Sequence, residues 1–204
     1  SAQQPIVEIK SWLGIPLEFT TTACNRPEII ESTYKSFTTR LKNVDFNNST
    51  LYINIDPAPN AKNIIEVINV AKKYFGNVVE YVPEKPNFAA AVLWCFNQVK
   101  NDMFFHLEDD WNLMRDVDIH QMIKLLGKNN SQCQLNKTPR LIPHHEKDEP
   151  AFIPNLSSKK YISLYLPLMD DKTNPEFQIK EIFRKNPKFQ KNKSVNINPN
   201  YEFS

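Results

Sequence analysis

Three consecutive carboxylates, Glu108, Asp109 and Asp110, follow a short apolar run and are the side chains best suited to metal chemistry. The run Met103–Leu107 has the length of a buried strand, and parallel α/β proteins place ligand sites at the carboxyl ends of such strands. Alternate strand residues face opposite ways, so Glu108 and Asp110 share one face. Carboxylates about 5 Å apart repel by about 3 kcal/mol at an effective dielectric constant of about 20. A bound Mg²⁺ or Mn²⁺ would remove this repulsion, since both prefer oxygen ligands.

A solvated acidic loop is the alternative interpretation of the same triplet. The strand in front of it favours a metal site, with Asp110 and Glu108 as the ligands. We expect His106 to be a core histidine with its hydrogen bonds satisfied, and Trp111 to pack at the rim rather than bind a sugar.

The elements that must position these carboxylates alternate between strand and helix. Periodicity predicts strands over Leu17–Ala23, Leu51–Ile55, Val78–Val82 and Met103–Leu107. Predicted helices start at Pro27, after caps at Asn60 and Asn87, and after Asp116 or Asp118; Gly76 and Gly127 end two of them. This order implies right-handed βαβ units on a mostly parallel sheet flanked by helices, an α/β fold.

The pattern changes after Gly127. Residues 129–156 are polar and interrupted by proline, with Arg140–Ile142 as a possible short strand. Tyr161–Leu166 is predicted to be a strand, and 174–185 a helix around Phe177, Ile179, Ile182 and Phe183. We predict one domain over 1–204, with a nucleotide-sugar-binding half at 17–127 and an acceptor-side half at 128–204. This domain could be a fragment of a longer multidomain protein.

The loops beyond the predicted strands converge on one crevice. Their residue types suit a ligand linked to a nucleoside diphosphate, because carboxylates can hold a bridging metal and cations can meet phosphate oxygens. The candidate binding residues are Thr22, Ala23, Asn25, Arg26, Asp56, Lys85, Asn87, Glu108 and Asp109.

Four of these candidates have plain structural alternatives. Arg26 could be a surface charge beside Glu28, and Asp56 before Pro57 could simply form a turn. Lys85 could be solvated, and Asn87 is a helix cap whatever else it contacts.

Three motifs of this sequence together resemble those of the GT-A glycosyltransferases. They are the strand ending Thr21-Thr22-Ala23-Cys24-Asn25-Arg26-Pro27, the strand ending in Asp56, and the strand ending Glu108-Asp109-Asp110. The segment from Leu17 to Leu126 is especially similar to the small type that glycosylates the capsid protein of chlorella-infecting viruses. The triplet stands where that family has its DXD motif, with Glu in place of the first Asp.

The resemblance implies a metal-dependent enzyme that moves a hexose or deoxyhexose from a UDP-sugar to a glycan or protein hydroxyl. Mn²⁺ or Mg²⁺ would be held by Asp110 with Glu108 nearby. The uridine would lie against Thr21 to Arg26 and Asp56, and the sugar near Asp109 and the segment after Lys85.

An inverting transfer also needs a carboxylate base for the acceptor hydroxyl. The candidates in the second half are Glu202, whose context resembles the family's acceptor-side motif, and Asp171, Asp170 and Glu176. A retaining enzyme would need none of them. The pair His144-His145 with Glu146 is a weaker candidate for a third metal ligand.

Composition excludes several other classes. A net charge of +2 is too small to indicate a domain that binds nucleic acid or a membrane surface through its overall charge. No stretch is apolar enough to span a membrane. Three scattered cysteines predict free buried thiols in a reducing compartment, hence the cytoplasm, or the host cytoplasm if the protein is viral.

Two rival functions remain open. A sugar nucleotidyltransferase also uses carboxylate-bound Mg²⁺, but its Gly-rich loop is hard to find because no glycine lies between Gly14 and Gly76. P-loop and Rossmann dinucleotide motifs are absent from the sequence. A non-catalytic module that binds nucleotide-sugars would bind the same ligand without turnover.

Overall fold

The strands of the first half form a parallel sheet, as predicted. A computed structural model describes residues 14–58, 63–129, 131–135, 144–147, 150–191 and 194–197. In the first half the strands are β1 (Glu18–Ala23), β2 (Leu41–Lys42), β3 (Thr50–Ile55), β4 (Asn77–Tyr81), β5 (Met103–His106) and β6 (Val117–Asp118). β1 pairs in parallel with β3 and with β5, and β3 in parallel with β4. The carboxyl ends of these four strands therefore meet at one edge.

The second half extends the same sheet through antiparallel pairings and one parallel pairing, between its strands β7 and β10. Its strands are β7 (Gln132–Leu135), β8 (His144–Lys147), β9 (Asn155–Ser158) and β10 (Ser194–Ile197). β9 runs antiparallel to both β5 and β7, which gives the eight-stranded order β4-β3-β1-β5-β9-β7-β10-β8. β2 and β6 form a separate two-stranded sheet.

Helices cover both faces of the large sheet. They are α1 (Pro27–Arg40), α2 (Asn63–Tyr74), α3 (Phe88–Gln98), α4 (Ile119–Asn129), α5 (Lys159–Tyr165) and α6 (Pro175–Lys185). One apolar cluster joins α1, α2 and α4 to the sheet, and a second joins α3, α5 and α6 to it. Phe105 belongs to the first cluster and its neighbour Phe104 to the second, as strand alternation requires. No helix among the described residues has the length and apolar character needed to cross a membrane.

The central strand β1 is buried on both faces, although its sequence alternates between apolar and polar residues. The polar members find partners inside the sheet. Glu18 accepts hydrogen bonds from the backbone N–H groups of Lys100 and Asn101, at 2.9 and 2.5 Å. Thr20 Oγ1 lies 2.8 Å from His106 Nδ1. Here alternation marks the two sides of a buried strand rather than an inner and an outer side.

Tyr161–Leu166 was predicted to be a strand, and this prediction is wrong: the segment lies in α5 and the short 3-10 turn after it. Ser158 caps the helix by accepting from the Tyr161 N–H at 3.0 Å. Tyr161, Ile162 and Tyr165 are buried along one helical stripe, a spacing that a short apolar run does not distinguish from a strand. The strand at this point is β9, just before it.

The helix boundaries follow the predicted signals with two differences. Pro27 opens α1, Asn87 caps α3 and Asp118 accepts from the His120 N–H at the start of α4. However, α4 continues past Gly127 to Asn129. Gly76 follows α2, but its φ is not positive; glycine is needed there because a Cβ would overlap the Asn47 carbonyl.

In α6 the predicted stripe is only partly correct. Ile179 and Phe183 are buried, whereas Phe177 is 69% exposed. The predicted Asn60 cap, the Arg140–Ile142 strand and Glu202 lie outside the described residues, and so do the side chains of His144, His145 and Glu146.

Candidate functional site

A cavity of about 460 Å³ opens where the carboxyl ends of β1, β3, β4 and β5 meet. Its size lies within the range of small-molecule sites in proteins. The residues that line it are Thr22, Ala23, Cys24, Arg26, Asn54, Asp56, Pro83, Pro86, Asn87, Phe88, Ala91, Glu108, Asp109 and Asp110. The structure thus brings together eight of the ten side chains predicted to bind the nucleotide-sugar or the metal.

Asp109, the middle carboxylate of the triplet, ties the loop after β5 to the loop after β1. The residue is only 4% exposed, and its carboxylate accepts from the Cys24 backbone N–H at 2.7 Å and from Arg26 Nη2 at 3.1 Å. Its carbonyl oxygen accepts from Thr33 Oγ1 at 2.7 Å. Burial raises the pKa of Asp109, and the bonds from Cys24 and Arg26 oppose that rise. This residue fixes the shape of the cavity wall.

Arg26 supplies a cation at the edge of the cavity. Its guanidinium contacts Asp109 at 3.1 Å and lies 3.9 Å from an oxygen of Asp110, with the side chain 43% exposed. It therefore pairs with the acidic triplet rather than with Glu28, which was the structural alternative. The exposed part of the guanidinium can meet a phosphate oxygen without losing Asp109.

Glu108, Asp109 and Asp110 all line the cavity. Strand β5 ends at His106, so the triplet lies in the turn beyond it, and the predicted strand alternation does not separate Asp109 from its two neighbours. Burial raises the pKa of Glu108 to about 8, and the negative charges of Asp110, Glu176 and Asp109 add to that rise. A hydrogen bond from the Trp111 side chain opposes it. This carboxyl group sits in excess negative charge that a bound cation would neutralise.

Asn54 and Asp56 form the opposite end of the cavity. β3 and β5 flank β1, so these residues lie two strand spacings, about 10 Å, from the acidic triplet. Asp56 Oδ1 accepts from the Ala58 N–H at 2.9 Å, so the predicted turn is present as well. Pro83 and Pro86 line the cavity beside them and contribute apolar walls.

Asn87 connects this cavity to the second half of the chain. Its Oδ1 caps α3 through the Ala90 N–H at 2.9 Å, while its Nδ2 donates to the Asp171 carbonyl at 2.9 Å. The loop that precedes α6 is thereby held against the rim. Asp170 Oδ1 accepts from the Lys172 N–H at 3.0 Å within the same loop.

Two predicted binding residues do not line the cavity. Asn25 is buried and Lys85 is exposed to solvent. Neither Asp170 nor Asp171 lines it, although Glu176 is close enough for its charge to act on Glu108.

Asn54, Phe88 and Ala91 are cavity residues that the sequence interpretation did not select. The sequence carried a signal that could have identified Asn54. In the apolar run Leu51–Ile55 the only polar groups on side chains are the Asn54 amide and the Tyr52 hydroxyl. Cys24 also lines the cavity and is exposed, so the expectation of buried thiols holds for Cys95 and Cys133 alone.

A divalent cation fits this site only if the ligand completes it. Among the described residues no group of three or more histidine, cysteine or acidic side chains is arranged to hold a metal ion. Glu108 and Asp110 offer two carboxylates to one cavity. Mg²⁺ is commonly bound by one or two carboxylates together with substrate phosphates and water, so the donor set fits that kind of site.

The chain was compared with protein families, curated proteins and solved structures. No family model and no curated protein matches it. Among solved structures, S. aureus TarS in complex with UDP matches with a TM-score of 0.62 and 8% identity, over 89% of this chain and 57% of that one. The mannosyltransferase PcManGT from Pyrobaculum calidifontis, in complex with GDP-Man and Mn²⁺, matches with a TM-score of 0.58 and 9% identity, over 73% and 46%.

The fold is of the GT-A type. A nucleotidyl transferase from Methanothermobacter, Mth528, matches as well, with a TM-score of 0.53 and 11% identity, over 91% of this chain and 88% of that one. This chain spans less than two thirds of the length of TarS and of PcManGT. At these identities the likeness establishes the fold and leaves the chemistry to the site.

Proposed function

We propose that this protein is a metal-dependent glycosyltransferase that uses a UDP-sugar. The observation that carries the proposal is the pairing of Glu108 and Asp110 in one cavity with Asp56 about 10 Å away across β1. A metal-bridged diphosphate suits the acidic end, and a nucleoside suits the end with Asp56. The structural likeness to proteins bound to UDP and to GDP-Man with Mn²⁺ supports a nucleotide or nucleotide-sugar as the ligand.

The residues of the chain divide the work between them. Glu108 and Asp110 would hold Mn²⁺ or Mg²⁺, which when bound acts as a Lewis acid toward the departing diphosphate. Arg26 neutralises a phosphate oxygen from the other side while Asp109 keeps it in place. Thr22 and Ala23 border the middle of the cavity, between the acidic end and Asp56.

The acceptor would approach from the second half of the chain, which we propose is the acceptor-side half of one domain. Asn87 holds the loop containing Asp170 and Asp171 at the rim. Glu176 is the described candidate base whose charge reaches Glu108, and Asp170, Asp171 and Glu202 remain proposals. We propose an inverting transfer of a hexose or deoxyhexose to a glycan or protein hydroxyl.

The finer resemblance to the chlorella-virus capsid-glycosylating type also remains a proposal. It would place the protein in the cytoplasm of an infected host. That setting is consistent with three free thiols.

Calorimetric titration of UDP tests the donor site, with and without Mn²⁺, on wild type and Asp110→Ala, with GDP as the control nucleotide. We expect UDP to bind in the presence of Mn²⁺ and the variant to lose about 100-fold in affinity, as expected when a charged ligand contact is removed. Equal binding of UDP without metal would refute the role of the acidic triplet. Failure of both nucleotides to bind would refute the glycosyltransferase proposal.

The likeness to Mth528 over 88% of that chain keeps a sugar nucleotidyltransferase as the second candidate. Incubation with UTP and a sugar 1-phosphate distinguishes the two, because only a nucleotidyltransferase releases pyrophosphate. A non-catalytic binding module would instead bind UDP-sugar and transfer nothing to acceptor glycans or to water.

A further inference from the structure

Asn54 lies on the cavity side of the sheet, in the next-to-last position of β3. It is in register with Thr22 of β1 and Tyr81 of β4. Its neighbours Ile53 and Ile55 belong to the apolar cluster on the opposite face, so the Asn54 side chain points toward α3 and the cavity. The residue is only 3% exposed. It therefore forms part of the cavity floor.

The Asn54 carboxamide has no hydrogen-bond partner among the residues that the structure describes. Its backbone is engaged in the parallel pairings on both sides, but its side chain donates and accepts nothing there. Two other deeply buried amides behave differently. Gln132 and Asn155 both make hydrogen bonds to neighbouring protein groups. The Asn54 carboxamide faces the cavity, so a ligand that enters the cavity can supply the partner that a buried amide normally has.

The neighbours of Asn54 indicate which part of a ligand it meets. Asp56 Oδ1 is engaged by the Ala58 N–H, which leaves Oδ2 to accept from a ligand. Pro83 and Pro86 supply apolar surface suited to a flat ring. The anionic part of the ligand belongs about 10 Å away at Arg26, beyond β1. The ring end of a nucleotide therefore lies at Asn54.

We propose that the Asn54 amide N–H donates a hydrogen bond to O4 of uracil and thereby selects uridine over cytidine donors. This inference rests on the proposed function. Uracil presents the N3–H donor beside the O4 acceptor, which matches Asp56 beside Asn54. O4 is on the side of the ring away from the ribose, so it reaches the floor of the cavity. Cytosine carries the N4–H₂ donor in place of O4 and would face the same amide with the wrong polarity.

Calorimetry of UDP and CDP with Mn²⁺ tests the selection, on wild type, Asn54→Asp and Asn54→Ala. Wild type should bind UDP more tightly than CDP by about tenfold or more. Asn54→Asp removes the donor and adds an acceptor for N4–H₂, so the ratio of UDP to CDP affinity should fall by about tenfold or more. Asn54→Ala should weaken UDP more than CDP.

Asn97→Asp is the matched control, since Asn97 is exposed on α3 and does not line the cavity. It adds the same charge and should leave the ratio unchanged, and thermal unfolding verifies that every variant is folded. Equal weakening of UDP and CDP by both Asn54 variants would overturn base selection and assign Asn54 a structural role. Unchanged UDP binding in these variants would overturn it as well.

Wild type that binds UDP and CDP equally would reject the O4 contact while leaving the donor site intact. If wild type binds neither nucleotide, the proposed function itself fails and the inference falls with it.

Discussion

Two groups of buried polar side chains lie in the same sheet, and they differ in how their hydrogen bonds are completed. The first, which we name the amide cluster, consists of Gln132, Gln134, Asn155 and Ser157 on β7 and β9. Gln132 Nε2 donates to Ser157 Oγ at 2.9 Å, and Gln132 Oε1 accepts from Gln134 Nε2 at 2.7 Å. Ser157 Oγ in turn donates to Asn155 Oδ1 at 2.7 Å. The amide cluster closes on itself.

The second group surrounds the cavity and does not close. Asn54 has no side-chain partner in the described part of the chain, and Glu108 is held among like charges. His106 Nε2 is also buried without a partner among the described residues, although His106 does not line the cavity. The prediction that the hydrogen bonds of this core histidine are satisfied is therefore wrong for Nε2. Internal satisfaction marks the polar groups that stabilise the fold. Unsatisfied groups around a cavity mark those kept for a ligand.

The largest expected effect on stability comes from breaking the amide cluster. Gln132→Ala removes, in a buried site, the donor to Ser157 Oγ and the acceptor for the Gln134 amide and the Ala151 N–H. We expect it to lower the free energy of unfolding by about 3 kcal/mol, measured by urea denaturation. UDP affinity of the folded variant should not change. Gln121→Ala, on the half-exposed side of α4, is the control and should change stability by less than about 0.5 kcal/mol.

The acidic triplet contains the same contrast between neighbouring residues. Asp109→Ala removes the acceptor for the Cys24 N–H and for Arg26, so it should cost about 2 kcal/mol in urea denaturation. Asp110→Ala removes an exposed carboxylate beside like charges and should change stability by about 0.5 kcal/mol or less. Equal losses in the two variants would show that Asp110, too, stabilises the fold.

His106 gives a pH dependence whose sign follows from its burial. Burial lowers the pKa of His106 from 6.5 to about 3 in the folded protein. Below pH 6.5 His106 binds a proton in the unfolded chain but stays neutral in the folded chain. This group therefore lowers the free energy of unfolding as the pH falls toward 3. We expect a contribution of about 1.4 kcal/mol per pH unit between pH 6 and 4.

His106→Gln keeps a polar group beside Thr20. It should reduce the slope of unfolding free energy against pH by the amount that corresponds to one proton. The measurement is urea denaturation of both proteins at several pH values. An unchanged slope would mean that His106 takes up a proton in the folded state.

The smallest effect expected is the one that separates the two groups most clearly. Asn54→Ala breaks no hydrogen bond among the described residues and should change the free energy of unfolding by about 0.5 kcal/mol or less. Asn155→Ala removes bonds to Ile153, Ala151 and Ser157 and should cost about 2 kcal/mol. Comparable losses at both positions in thermal or urea unfolding would contradict the distinction between closed and open polar groups.

The parallel half of the fold could be predicted from local signals. Period-2 and period-3.6 patterns with Pro27, Asn87 and Asp118 at helix starts specify βαβ units, and the short connections leave few topologies. Placing Glu108 and Asp110 at the cavity required only that they follow the carboxyl end of a parallel strand. Tyr161–Leu166 failed because a short apolar run satisfies both periods, and the Ser158 cap and the packing of α5 decided between them.

The sequence by itself determined that carboxylates, a cation and helix starts meet at one edge of a sheet. Only the tertiary structure decided which of these groups have hydrogen-bond partners within the protein and which remain available to a ligand. Asp109 is locked because the Cys24 N–H, 85 residues away in sequence, points at it. Asn54 is open because the residues of α3 that line the cavity with it, Phe88 and Ala91, carry no hydrogen-bonding side chain. Local patterns fix the direction of a side chain, but its hydrogen-bond partner comes from a distant segment and depends on how the elements pack.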